Sequence, residues 1–281
     1  MKKILVAFDG LKYSVPTQEY AVRLASRDNA LLVGVFLDDL YYRSYKIYDI
    51  IQEEEGGIDT KRQRSFDKRD ASVRTNAIKL FSAACEKAGI QFSIHKDHKA
   101  AIRELLKESI YADLLVISSS ETFSKSKEDI PTTFIQDLLP HIQCPVFVVP
   151  SSYRQIDELI LLYDGEPSSV HAIKMLGYVL PSFQSLYTEI VTVKKQQRGA
   201  QLPDAGLIKE FITQHFPKTG FHILHGNPET GILSFLRKKR PNTLVVLGAY
   251  RRSAVSRWFR PSMADMLISK LNLPLFIAHN K

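Results

Sequence analysis

The residues of this chain best equipped for chemistry are basic, and they crowd one stretch. Arg251, Arg252, Arg257 and Arg260 lie between Gly248 and Ser262, with Arg237-Lys238-Lys239-Arg240 on the helix before them, and guanidinium forks bind phosphate-like anions bidentately. A solvated loop on a basic domain explains the same residues, and Trp258 among these arginines leaves a nucleic-acid patch as a third reading. Asp9-Gly10 and Asp164-Gly165 each end an apolar run, where Asp-Gly signals a turn or helix cap. His95 and His98 are three apart, but no third ligand or Glu accompanies them as a zinc enzyme needs. Neither Cys85 nor Cys144 has a histidine partner in sequence, and there is no Gly-x-Ser-x-Gly elbow. Catalytic residues and metal ligands are therefore not expected.

The elements that must position these residues follow from the apolar runs. Ile4 to Phe8, Leu31 to Leu37, Leu114 to Ile117 and Val146 to Val149 are continuous rather than alternating, the pattern of parallel strands buried on both faces. Segments of helical period lie between them, such as Ser14 to Ala30 with Val15, Tyr20, Ala21, Leu24 and Ala25 near one face. The run Ile4 to Gly10 recurs 155 positions on as Ile160 to Gly165, while Cys144-Pro145-Val146 recurs 129 positions on as Leu273-Pro274-Leu275. This internal repeat predicts two tandem domains, 1–150 and 151–281, each a doubly wound α/β fold with a parallel five-stranded sheet.

The second copy is shorter by 26 residues, and the difference maps to an insertion at about 38–75. That insertion reads either as a helical or mobile cover on a sheet end or as a lid over the first site. Ligands of doubly wound sheets sit beyond the carboxyl ends of the strands. In the second half those positions are Asp164-Gly165, Val193, His225-Gly226-Asn227-Pro228 and Gly248 to Arg251.

Charge follows the repeat. The chain carries 38 basic and 30 acidic residues, a formal charge of +8. Residues 1–150 hold 21 of each, which leaves 17 basic and 9 acidic residues in the second half. All of the excess belongs to 151–281, yet that half carries no recognition-helix, RNA-binding or basic-zipper signature, so nucleic acid is not the expected partner. Two cysteines make no disulfide framework, and the opening MKKILVAFDG is too short in apolar residues for a signal peptide or membrane span. A cytoplasmic protein without a membrane partner is expected.

Taken in order, YDGEPSS at 163–169, HGNPETGIL at 225–233, LGAYRRSAVSRWFRPS at 247–262 and CPVFVVP at 144–150 resemble the universal stress proteins, here as a tandem covering essentially the whole chain. The resemblance implies a stress-response or regulatory protein. In its ATP-binding members a G-x2-G-x9-G-[ST] motif wraps the phosphates, while the Asp after the first strand and residues after the second hold adenine and ribose. Glycines allow close backbone approach, and a helix N-terminus offers N–H donors.

Carried onto this chain, the motif falls on Gly248, Arg251, Pro261 and Ser262 in the second half, with Asp164, Val193 and Gly226 completing the site. One glycine of three survives, and proline has no N–H to give. In the first half the positions read Ser119, Thr122, Thr132 and Thr133, and His95-Lys96-Asp97-His98 replaces the Gly-x-Pro turn. Only Asp9 and Thr133 remain from the nucleotide contacts there.

The expectation is a non-catalytic tandem protein whose first nucleotide site is lost and whose second is degenerate. The alternative is an ATP or adenine-nucleotide sensor working through the second domain, with slow hydrolysis. Single-domain relatives pair through their last strands, which implies intrachain pairing of Val146 to Val149 with Leu275 to Ala278. A further homodimer, and a phosphate-bearing ligand other than ATP, stay open.

Overall fold

The computed structural model describes residues 1–37, 43–51, 58–97, 101–124, 127–194, 201–248 and 262–279. Its strands are β1 (Lys3–Asp9), β2 (Leu31–Leu37), β3 (Phe92–Asp97), β4 (Leu114–Ser118) and β5 (Val146–Val149) in the first half. The second half contributes β6 (Glu158–Leu162), β7 (Tyr187–Lys194), β8 (Thr219–His225), β9 (Thr243–Gly248) and β10 (Leu275–Ala278). The helices are α1 (Val15–Asp28), α2 (Thr60–Lys87), α3 (Ala101–Ser109), α4 (Thr133–Leu138), α5 (Pro167–Val179), α6 (Ala205–His215), α7 (Pro228–Leu236) and α8 (Met263–Lys270).

All ten strands join one sheet in the order β3-β2-β1-β4-β5-β10-β9-β6-β7-β8. Within each half the pairings are parallel, with Asp9 beside Leu37 and Leu162 beside Val191. The halves meet in the antiparallel ladder of β5 and β10, where Leu275 lies beside Val148 and Ile277 beside Val146. The expected pairing through the last strands is present. It converts two apolar edges, each fully buried, into the centre of the sheet and removes the aggregation hazard of open edges.

The alternation of side chains along buried strands feeds two cores. Ile4, Val6 and Phe8 face α1 and α2 on one side, continuous with Leu159, Leu161 and Tyr163 under α5 and α6. Leu5, Ala7, Leu115 and Ile117 face α3 and α4, continuous with Ile160, Val245 and Leu247 under α7 and α8. Between the halves, Asp28 at the end of α1 accepts from Ser182 N and Oγ at 2.9 and 2.8 Å, and Arg154 N donates to the Tyr20 hydroxyl at 3.2 Å.

The start of α1 follows the capping rules. Ser14 caps α1 by accepting from Thr17 N at 3.3 Å, with Pro16 in the first turn. Val15, expected on the buried face of α1, is instead 50% exposed because it sits at the helix start above the sheet end, and Thr17 takes the buried place. The described part of the insertion is largely helical. Thr60 to Thr75 form the first turns of the 28-residue α2, and residues 43–45 fold back on them through Arg43 and the Tyr45 hydroxyl to Asp67, at 2.6 and 2.8 Å, and Ser44 N to Asp70 at 2.8 Å.

Candidate functional site

The carboxyl ends of the strands are where the topology opens a crevice, and in the first half that crevice is acidic and closed by the chain itself. Asp9, 1% exposed at the end of β1, accepts from Leu11 N at 2.8 Å. This is a turn within the loop; the cap of α1 belongs to Ser14. Glu121, just past β4, is 6% exposed and accepts from Thr122 N and Phe123 N at 3.1 and 3.2 Å. Burial first, and then the neighbouring Asp9 charge, push the Glu121 carboxyl up to about 7, against the pull of those N–H groups and of Lys12.

Thr132, at a position where the motif would have glycine, caps α4 by accepting from Ile135 N at 3.3 Å and donates to the Glu121 carbonyl. Thr133, the residue at the terminal hydroxyl position, gives its N–H to the Glu128 carboxylate at 2.7 Å. Hydrogen bonds from the Thr133 backbone and side chain hold Glu128 below its usual range. A carboxylate of the chain itself therefore stands where the helix would offer an N–H to phosphate. Gly10 is covered too, since a Cβ there would meet Arg74 Cγ of α2 at 3.0 Å.

The second half keeps more of the pattern. Asp164 at the end of β6 is exposed, and its Oδ1 accepts from Glu166 N at 2.9 Å and Ser169 Oγ at 2.7 Å. Glu166, the residue at the cap of α5, makes no side-chain cap bond, so Asp164 organises this turn from two residues upstream. Val193 on β7 packs against the core under α7. Gly226 has φ +110°, a conformation that demands glycine. Among the described residues no atom lies within 4 Å of the place its Cβ would take. Asn227 then caps α7 by accepting from Thr230 N at 3.2 Å, with Pro228 at the first helical position.

Gly248 has a packing reason of its own. A Cβ there would lie 2.4 Å from the Ser168 carbonyl carbon and oxygen, because the first turn of α5 crosses the end of β9. The surviving glycine is thus required by the fold whether or not a phosphate approaches it. Ser262 caps α8, and its N–H and hydroxyl both donate to Asp265 at 3.0 and 2.8 Å. Arg251, Arg252, Arg257, Trp258, Arg260 and Pro261 lie outside the described residues, as does His98.

One expectation is overturned. Arg237 to Arg240 were grouped with the basic loop around Gly248, but α7 runs antiparallel to its strands and delivers them to the opposite end of the sheet. There Lys239 donates to Glu158 and Glu189 at 3.0 and 2.7 Å, Thr243 donates to Glu158 at 2.9 Å, and Arg240 pairs with Asp157 at 3.5 Å. Burial would lower Lys239; its hydrogen bonds to Glu189 and Glu158 outweigh that and hold it above its usual range. His95 is likewise committed, its Nδ1 lying 2.5 Å from Glu108. Cys85 and Cys144 are buried free thiols, and burial pushes Cys85 up to about 12.

The ten-strand order with its central antiparallel ladder decides the comparison. A universal stress protein from Archaeoglobus fulgidus DSM 4304 superposes with a TM-score of 0.72 at 16% identity, over 99% of this chain and 98% of that one. The chain has the tandem universal stress protein fold. A functionally unknown protein from Pseudomonas aeruginosa PAO1 superposes with a TM-score of 0.63 at 11% identity, over 99% of this chain and 92% of that one. No protein-family model and no curated protein matches the sequence. No helix among the described residues is long and apolar enough to cross a membrane.

Glu121, Glu128 and Asp265 were missed by reading the sequence. Each is an acid next to a recognised motif position, but only the fold shows that Glu121 is buried against Asp9 and that Glu128 reaches the start of α4.

Proposed function

We propose that this chain is a cytoplasmic tandem universal stress protein, with domains 1–150 and 151–281, that acts as a non-catalytic stress-response module. Its first nucleotide site is lost and its second is degenerate. The observation that carries this reading is the pair of carboxylates at the first sheet end: Glu128 on Thr133 N and Glu121 buried beside Asp9. Phosphate brought there would compete with the Glu128 carboxylate for the Thr133 N–H and meet the buried Asp9 together with the Glu121 carboxyl, which charges only as pH rises through about 7, an arrangement that disfavours an anion.

A second reading rests on Gly226, open among the described residues, and on the Asp164 turn. In it the second domain takes ATP or another adenine nucleotide, with Val193, Gly248, Arg251 and Ser262 completing the contacts and Arg251 supplying the phosphate donor that glycine supplies elsewhere. Calorimetry with ATP, ADP and AMP, together with analysis of nucleotide released from the denatured purified chain, separates the two. No heat and no released nucleotide supports the first reading. Heat lost in the variant Arg251→Ala supports the second, and single-turnover assays with labelled ATP then test for slow hydrolysis.

A further inference from the structure

Helices α5 and α6 leave between them a groove of about 490 Å³, walled by Tyr163, Val170, Lys174, Leu207 and Phe211. None of Asp164, Val193, Gly226, Gly248 or Ser262 lines it. The repeat shows what such a space holds in the other half. There the loop between Asp9 and α1 spans residues 10–14, whereas the loop between Asp164 and α5 spans only 165–166. Tyr13 lies in the three extra residues. Its ring stands 4.7 Å from Phe8 and stacks on Phe36 at 6.4 Å, and its hydroxyl donates to Gln18 Oε1 at 2.5 Å.

Aligning the helices by their buried residues, Tyr20-Ala21-Leu24 with Ala172-Ile173-Leu176, puts Val170 at the place of Gln18. Aligning the strands puts Tyr163 at the place of Phe8 and Thr192 at the place of Phe36. The residues that surround the Tyr13 ring in the first half are therefore matched by two that wall the groove, Tyr163 and Val170. The two-residue loop of the second half has no counterpart of Tyr13; the Tyr163 hydroxyl donates to the Pro203 carbonyl at 3.0 Å, and Thr192 is smaller than Phe36.

We propose that this groove is a binding site for a flat aromatic small molecule, which takes in the second half the position that the Tyr13 ring takes in the first. The walls supply the aromatic and aliphatic surface that such a ring prefers. At the rim the carboxylates of Asp204 and Glu210 outnumber Lys174, with Gln214 and His215 able to donate or accept, which favours a hydroxyl or amino donor on the ligand, as the phenol of Tyr13 is a donor, over a carboxylate.

The test uses the full chain with 2-naphthol and 2-naphthoate as probes, followed by isothermal titration calorimetry. Naphthol is expected to bind, and naphthoate to bind at least about fivefold more weakly. Val170→Phe, which places a ring of the chain in the groove, is expected to abolish naphthol binding. Leu207→Ser changes a residue that is 71% exposed and so keeps the fold, and is expected to weaken binding about fivefold. If Val170→Phe does not fold, Leu207→Ser decides. The assignment is overturned if naphthol does not bind at millimolar concentration, if naphthoate binds as well or better, or if binding survives unchanged in both folded variants. Displacement of naphthol by ATP would also overturn it, by merging the groove with the nucleotide site; indifference to ATP supports a separate site.

Discussion

Glu121→Gln isolates the chemistry of the first sheet end. The Glu121 carboxyl is held at about 7 against an ordinary value of 4.5, so between those two values the folded chain keeps a proton that the unfolded chain has released. A group raised in this way contributes stability that is fully present below pH 4.5 and is lost as pH rises through about 7. At about 1.4 kcal/mol per pH unit, the loss amounts to about 3 kcal/mol once both states are ionised. Gln keeps the side-chain oxygen that accepts from Thr122 N and Phe123 N, and it removes the charge facing Asp9. The variant is expected to match the parent below pH 4.5 and to exceed its stability by up to about 3 kcal/mol above pH 7. Urea unfolding followed by circular dichroism across that range measures both effects. A parent chain whose stability does not fall between the two values, or a variant with the same pH slope, refutes the argument that burial against Asp9 sets this group.

Three further outcomes follow from contacts described above. Gly248→Ala forces a Cβ against the Ser168 backbone and is expected to cost about 2 kcal/mol or more in urea unfolding, equally with and without ATP. Lys239→Met leaves Glu158 and Glu189 buried without their cation and is expected to cost about 3 kcal/mol in the same assay. Expressed separately, residues 1–150 and 151–281 each bare a four-residue apolar edge, β5 or β10, and are expected to self-associate in size-exclusion chromatography; two monomeric halves would show that the ladder is dispensable.

Much of the architecture was legible in the sequence because it rests on local signals. The β-branched runs became strands at their written positions, the repeat became the two five-stranded halves of one ten-stranded sheet, and Gly226-Asn227-Pro228 became a positive-φ turn, a cap and a first helical residue in order. The site was less legible because its chemistry is made by distant parts of the chain. Nothing near Glu128 in the sequence announces that it will meet Thr133 N, and only the crossing of α5 over β9 explains why position 248 must be glycine. The grouping of Arg237 to Arg240 with the basic loop failed for a geometric reason: closeness in sequence across a helix is distance in space, since the helix carries the chain from one end of the strands to the other.

The antiparallel ladder of β5 and β10 has a consequence for where the two candidate sites face. Because strands within each half are parallel and the halves meet head to tail, the carboxyl ends of the first five strands and those of the second five point to opposite poles of the sheet. Asp9 and Glu121 look out at one pole; Asp164, Gly226 and Gly248 look out at the other. A partner docked over one pole would meet none of the residues named at the other. The two sheet ends are therefore set apart by the whole length of the strands, and a change of side chains at one leaves the contacts at the other untouched.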